Sequence, residues 1–219
     1  RLWKACDAQV GDDFQINPEE IEAKYFGVLT KLFNVARFAS QFDTPSDLDT
    51  IPEDLSVEDR WILAEFSSTM KRVQDGWSGL DIYTATQALK TFGTGVLPSH
   101  WLEMSKSRLY DDDLNAAWTI HRIVRDFMSA LSPVCPFFTH HISSTLYESS
   151  AVDVREFPSL TPDDAALRAL TNAIEEFNGA TWRTKKEAGL PLNAPISGIS
   201  IPEELSEFKE ILTQMHKLE

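Results

Sequence analysis

A chain of 219 residues, 42% of them hydrophobic, is long enough for one large domain or a domain with a small appendage, and apolar enough for a globular core. Its formal net charge of −14 excludes indiscriminate nucleic-acid binding. The two cysteines, Cys6 and Cys135, stand in no metal-ligand spacing, and the absence of a signal peptide or long apolar run predicts a soluble cytoplasmic protein with no membrane partner. The chain opens mid-pattern at Arg1-Leu2-Trp3 with no Met, which reads as part of something longer.

Residues 1–9 read as the end of a helix, and Gly11-Asp12-Asp13-Phe14 as a turn. Asn17-Pro18-Glu19-Glu20 is a strong helix start, with Asn as N-cap and Pro at the first helical position. Ile21, Tyr25, Val28, Leu29, Leu32, Ala36 and Ala39 then recur at helical spacing, predicting a long first helix to about Phe42. An acidic loop with Pro45 and Pro52 follows, over 43–54. Ser56 with Asp59 resembles a capping box for a second helix carrying Ile62, Phe66, Met70, Val73 and Trp77, and Gly76 and Gly79 mark its end.

A third helix starts near Leu80, but Gly93, Gly95 and Pro98 predict a kink or break before Trp101. Asp111-Asp112-Asp113 places negative charge at the start of the next helix, which runs through Ile120, Ile123, Phe127 and Leu131 to Ser132-Pro133. A short fifth helix spans 137–147, and an extended link spans 152–157. Thr161-Pro162-Asp163-Asp164 caps a sixth helix ending near Gly189. Ile196, Ile199 and Ile201 suggest a strand, followed by an amphipathic helix with Leu205, Phe208, Leu212 and Met215. The expected fold is therefore all-α: a bundle of about six helices with a short C-terminal strand–helix appendage.

No catalytic constellation is evident. His140-His141 point apart on a helix and lack a completing carboxylate or thiolate, so no metal is expected. No P-loop, G-x-G-x-x-G or G-x-S-x-G occurs. Met104-Ser105-Lys106-Ser107 matches four-fifths of a K-M-S-K-S phosphate loop, but Glu103 stands where its leading cation belongs. Trp101, Met104 or Ser105, and Arg108 lie three or four apart, as on one helical face.

Charge is unevenly spread. Residues 1–60 carry six basic against thirteen acidic groups, and residues 61–110 carry five against four. Any RNA contact must be local. In the first long helix, Ile21, Val28, Leu32 and Ala39 are expected to face the core. Lys31, Asn34, Arg37 and Phe38 lie off that stripe, with the three polar ones at three-residue spacing. They are the first candidates for meeting RNA phosphates, base edges and a base plane. Lys71, Arg72, Lys106 and Arg108 are the next, and Arg183, Lys185 and Lys186 form a third basic cluster.

Five runs in order carry a family resemblance: Lys31-Leu32-Phe33-Asn34-Val35-Ala36-Arg37-Phe38, Asp59-Arg60-Trp61-Ile62-Leu63, Trp101 to Leu109 as W-x-E-x-x-K-x-R-L, Pro133 to Thr139 as P-x-x-P-F-x-T, and Asn193-Ala194-Pro195-Ile196 after the basic cluster. Together they resemble the anticodon-binding helical domain of class I valyl-tRNA synthetases of archaeal type, with the isoleucyl enzymes as the alternative. His140-His141 replaces the family's Glu-Glu. The resemblance implies a parent ligase of protein biosynthesis that joins valine to its tRNA with ATP, through catalytic and editing domains not in this chain. It implies that this chain is non-catalytic, binds no cofactor itself and grips the anticodon stem-loop of tRNA. It divides the chain into a connecting end at 1–15, the bundle at 16–160, and at 161–219 a sixth helix with the start of an α/β unit. A helical protein–protein interaction domain without RNA is the reading from another class.

Overall fold

The chain is described by a computed structural model covering residues 1–8, 11, 17–147 and 157–219. The turn expected over 11–14 and the link expected over 152–157 lie outside those residues, apart from Gly11 and Phe157. The described residues form an all-α bundle. Its helices are α1 (Leu2–Asp7), α2 (Pro18–Ala39), α3 (Val57–Ser78), α4 (Ile82–Thr91), α5 (Leu102–Tyr110), α6 (Leu114–Leu131), α7 (Pro136–Tyr147), α8 (Ala165–Ala169), α9 (Thr171–Glu187) and α10 (Lys209–His216), with a 3-10 turn at Glu203–Phe208 before α10. None of the described helices is long and apolar enough to cross a membrane.

The helix starts follow local chemistry. Ser56 accepts from the Asp59 amide at the start of α3, and Asp113 accepts from the amides of Asn115 and Ala116 at the start of α6. At α2, Asn17 holds the N-cap position with extended backbone, but its side chain makes no capping bond, and Pro18 does the starting. The expected sixth helix is two: Asp164 caps α8, the chain bends at Leu170, and α9 begins at Thr171.

One core runs from Leu2 and Cys6 through Trp61, Phe66, Phe92, Trp101, Leu109 and Phe127 to Phe208 and Leu212. α3 packs against α4, α6 and α8, and α2 packs against α6 and the segment after α4. Thr86 and Gln87 of α4 donate to the Ala5 and Cys6 carbonyls, tying α1 down. The chain beyond residue 160 is tied to α3. Ser67 donates to the Thr161 carbonyl, Thr161 donates to the Leu63 carbonyl, and the Trp61 indole N–H donates to Thr171.

Two expectations are revised. First, of the kink or break expected before Trp101, the break does not occur. α4 passes without interruption through a π-helix, Phe92–Trp101, into α5, with Pro98 inside it. A π turn bonds each amide five residues back, as Leu102 does to the Leu97 carbonyl. The wider turn suits the apolar spacing, because Phe92, Leu97 and Trp101 stand five and four apart and all are buried. Gly93 lets this segment touch its neighbours: a Cβ there would lie 2.7 Å from Leu32 Cδ2 on α2 and 2.7 Å from Phe127 Cζ on α6.

Second, Ile196, Ile199 and Ile201 form no strand. Among the described residues there is one isolated parallel bridge, Ile196 with Leu218, in which the Ile196 amide donates to the Lys217 carbonyl and the Glu219 amide to the Ile196 carbonyl. Pro195 and Pro202 lack donors, and Gly198 sits at φ +82°, so the triad of isoleucines cannot extend a ladder.

A buried charge cluster lies where α3, α5 and α6 meet, apart from the buried Arg122–Asp126 pair within α6. Arg108 of α5 forks to Glu58 and Asp59 of α3, at 2.7 and 2.8 Å, and its Nε donates to Asp113 at 2.9 Å. Its Nη1 also donates to Ser56 at 2.7 Å. The Trp101 indole N–H donates to the other oxygen of Asp59, at 3.1 Å. Burial pushes the Asp59 carboxyl up from the usual aspartate range, against the pull of the Arg108 guanidinium beside it. Asp113 resists the same burial effect. Arg108 and the amides of Ala116 and Asn115 hold it below the usual range.

A second polar chain lies under α10. The His216 Nε2–H donates to Asn178 Oδ1 at 2.8 Å, and the Asn178 amide donates to His100 Nδ1 at 3.0 Å. The remaining His216 nitrogen is buried without a partner. Burial, with Lys185 nearby, pushes the His216 pKa down from 6.5 to about 4.

Three outcomes follow. Arg108→Ala strands Glu58 and Asp59 without their cation. It should cost about 3–5 kcal/mol in chemical denaturation, with Arg108→Lys intermediate because an ammonium cannot fork. Gly93→Ala should lower the thermal midpoint, since overpacking costs ~1–3 kcal/mol. Gly95→Ala, with nothing within 4 Å of its Cβ, should not; equal midpoints would refute the close-approach account. The neutral His216 binds fewer protons folded than unfolded between its folded value of about 4 and the ordinary 6.5. Its contribution is thus complete above that window and is lost as pH falls through it. His216→Gln should flatten the pH dependence of stability across that window relative to wild type.

Candidate nucleic-acid interface

The 22 residues of α2 sort by helical period into two faces. Tyr25, Val28, Leu32, Val35, Ala36 and Ala39 are buried, and Ile21 is half-buried. The opposite face carries Lys31, Asn34 and Arg37, all exposed and three apart, so they form one row along the helix. Among the described residues none of these three side chains is in an ion pair or hydrogen bond. From Ala23 to Phe42 the chain holds Lys24, Lys31 and Arg37 and no acid, in a protein whose net charge is −14. Lys24 is engaged by Asp7 at 2.8 Å, which leaves Lys31 and Arg37 as the free cations of this stretch.

Phe38 sits beside that row but is half-buried. Its ring meets Phe42 and Tyr110 edge-on, with centroids 5.1 and 6.0 Å apart, and Phe42 and Tyr110 complete the triangle. This cluster joins the end of α2 to the end of α5.

The other candidate cations divide sharply. Lys71 and Arg72 are exposed on α3, and Arg183 and Lys186 are exposed on α9. Lys106 is half-exposed and paired with Glu103 one turn away on α5. Arg108 is committed to the carboxylate cluster already described and has no free donor face for a phosphate. Lys185 is fully buried. Its ammonium donates to the Leu192 carbonyl at 2.8 Å and to the His216 carbonyl at 2.7 Å, at the end of α10. Burial, with Lys217 nearby, pushes its pKa down. Arg108 and Lys185 therefore act as struts inside the fold.

The α2 candidates form a row of three on one helix face. Lys71 and Arg72 lie on α3, which packs on α4, α6 and α8; Arg183 and Lys186 lie on α9, which packs on α8, the π-helix and the 3-10 turn. Of the basic cluster at 183–186, Arg183 and Lys186 stay three apart on an exposed side of α9, and Lys185 turns inward.

Exposed aromatic residues were not singled out from sequence. Phe26, Phe33 and Tyr110 are 71%, 42% and 62% exposed. The signal available for Phe33 was its helical offset from the buried stripe, at one residue past Leu32. Met104-Ser105-Lys106-Ser107 lies within α5, with Met104 and Ser105 buried, so it forms a helix and not a loop. His140 and His141 are both exposed on α7, and among the described residues no group of three His, Cys, Asp or Glu is placed to hold a metal.

The chain matches the family model described as the anticodon-binding domain of tRNA ligase over residues 59–200. Similar curated proteins include the valine–tRNA ligase of Saccharolobus solfataricus, 31% identical over 87% of this chain and 23% of its own length. That of Haloarcula marismortui is 30% identical over 99% of this chain and 24% of its own. That of Methanothrix thermoacetophila is 31% identical over 94% of this chain and 23% of its own. The chain thus spans about a quarter of the length of these relatives. The family model covers most of the bundle, including Asp59, Trp101 and Arg108 of the buried charge cluster and the α3, α5 and α6 helices that the cluster joins. With that coverage, the chain belongs to the anticodon-binding domain family of tRNA ligases.

Proposed function

We propose that this chain is the part of a valine–tRNA ligase that grips the anticodon stem-loop of its tRNA. The observation that carries the reading is the exposed row Lys31, Asn34 and Arg37, unpaired among the described residues, on a bundle of this family. The valine assignment draws on the printed names of the relatives. In this reading the parent enzyme uses ATP and activates valine in catalytic and editing parts outside this chain, in the cytoplasm, and this chain holds no cofactor. Residues 16–160 grip the RNA and residues 161–219 buttress the bundle.

An anticodon loop offers unpaired bases that splay out, stack on flat side chains and present their edges. Lys31 and Arg37 supply phosphate contacts whose strength falls with salt. Asn34 supplies both a donor and an acceptor for a base edge. Phe38, braced by Phe42 and Tyr110, supplies apolar surface at the row's end. Lys71, Arg72, Arg183 and Lys186 remain available for the stem's phosphates. A net −14 chain with one free cationic row discriminates well: the acidic remainder repels RNA that cannot seat its loop there.

The test is steady-state charging by the parent enzyme. Arg37→Ala and Phe38→Ala should each raise KM for tRNA at least several-fold, while tRNA-independent valine activation stays at the wild-type rate. Wild-type charging kinetics for both folded variants at moderate salt would remove α2 as the anticodon reader and move attention to Lys71 and Arg72.

A further inference from the structure

α2 exposes two phenylalanine rings, Phe26 and Phe33, seven residues apart and so on one side of the helix. Scattered exposed apolar residues are ordinary on a protein surface. The surroundings of these two differ. On the same row, Phe26 has Glu22 one turn before it and Glu19 a turn before that. Phe33 has Arg37 one turn after it, and Thr30 one turn before. Asn34 follows Phe33 on the exposed half of the helix, and Lys31, two residues before Phe33, lies at the far edge of that half. Among the described residues Phe33 has no aromatic partner, whereas Phe38 is packed edge-on by two rings.

We propose that Phe33 is the stacking plane on this face, taking one unpaired base of an RNA loop while Arg37 holds the adjoining phosphate. The proposal rests on the reading of α2 as the RNA-facing helix and adds the residue that receives a base. Charge complementarity selects the occupant. The stretch from Ala23 to Phe42 around Phe33 holds the free cations Lys31 and Arg37 and no acid, so a polyanion with flat apolar groups fits it. The cluster at Phe38 fits less well, because Tyr110 leads directly into Asp111-Asp112-Asp113 and Asp43 follows Phe42. A base laid on Phe33 covers a ring that otherwise faces water, which makes the contact indifferent to base identity and to salt.

The experiment is titration of the 219-residue chain with a short RNA stem-loop carrying a valine anticodon, at several salt concentrations, with circular dichroism melts to verify folding. Phe33→Leu keeps apolar volume but removes the plane, and should weaken binding about ten-fold. The slope of log affinity against log salt should stay unchanged. Phe33→Trp should restore wild-type affinity. Arg37→Ala should weaken binding and reduce that slope by about one. Phe26→Leu, the exposed-ring control, should bind like wild type. If Phe33→Leu binds like wild type while Arg37→Ala is weakened, this inference falls and the reading of α2 stands. If Phe33→Trp is as weak as Phe33→Leu, the position matters for shape and the stacking role is refuted. If wild type does not bind the stem-loop, or none of Arg37→Ala, Lys31→Ala and Phe33→Leu alters binding, both fall together.

Discussion

The corner where α3, α5 and α6 meet depends on an arginine, Arg108, that cannot reach water freely. Arg108 neutralises Glu58, Asp59 and Asp113 at once, and these belong to the start of α3 and the start of α6, while Arg108 itself ends α5. Burying two carboxylates costs far more than a surface ion pair returns, so the arrangement holds only while the planar guanidinium meets all its acceptors. That requirement fixes three helix ends against one another. The same Asp59 and Asp113 serve as capping-box and N-cap residues, so helix initiation and helix docking are a single event in this corner. The Trp101 indole closes the cluster from the π-helix side.

The π-helix extends that constraint to α2. A ten-residue π segment between two α-helices is uncommon, and here it allows Phe92, Leu97 and Trp101 to face inward together. Gly93 then brings the backbone within van der Waals reach of Leu32 and Phe127. α2 is held by its buried stripe against this surface and α6, which turns Lys31, Phe33, Asn34 and Arg37 outward. The exposed row is therefore a consequence of core packing two layers below it.

The runs that carry the family resemblance divide between buried and exposed residues. Asp59, Trp101 and Arg108, which lie in the runs that carry the family resemblance, are structural: they form the buried cluster. Lys185, in the basic cluster before the last of those runs, ties the segment after α9 to the end of α10. The surface that suits RNA lies mostly in the first run, on α2, and includes a ring at Phe33 that is apolar by sequence and exposed by geometry.

Local chemistry alone determined much about this protein. The helical periods, the Ser56 and Asp113 caps and the core stripe of α2 were legible because each involves residues within a few positions of one another. Interactions across longer separations were not. The sequence reads Gly93, Gly95 and Pro98 as breakers, since a π-helix needs the tertiary fit of Phe92, Leu97 and Trp101 to be favoured. The three isoleucines after Pro195 read as a strand because alternation says nothing about whether a partner strand exists. Arg37 and Arg108 are indistinguishable as letters. One is free and the other buried because Arg108 meets Glu58 and Asp59 about fifty residues away, and only the folded chain brings those carboxylates to it.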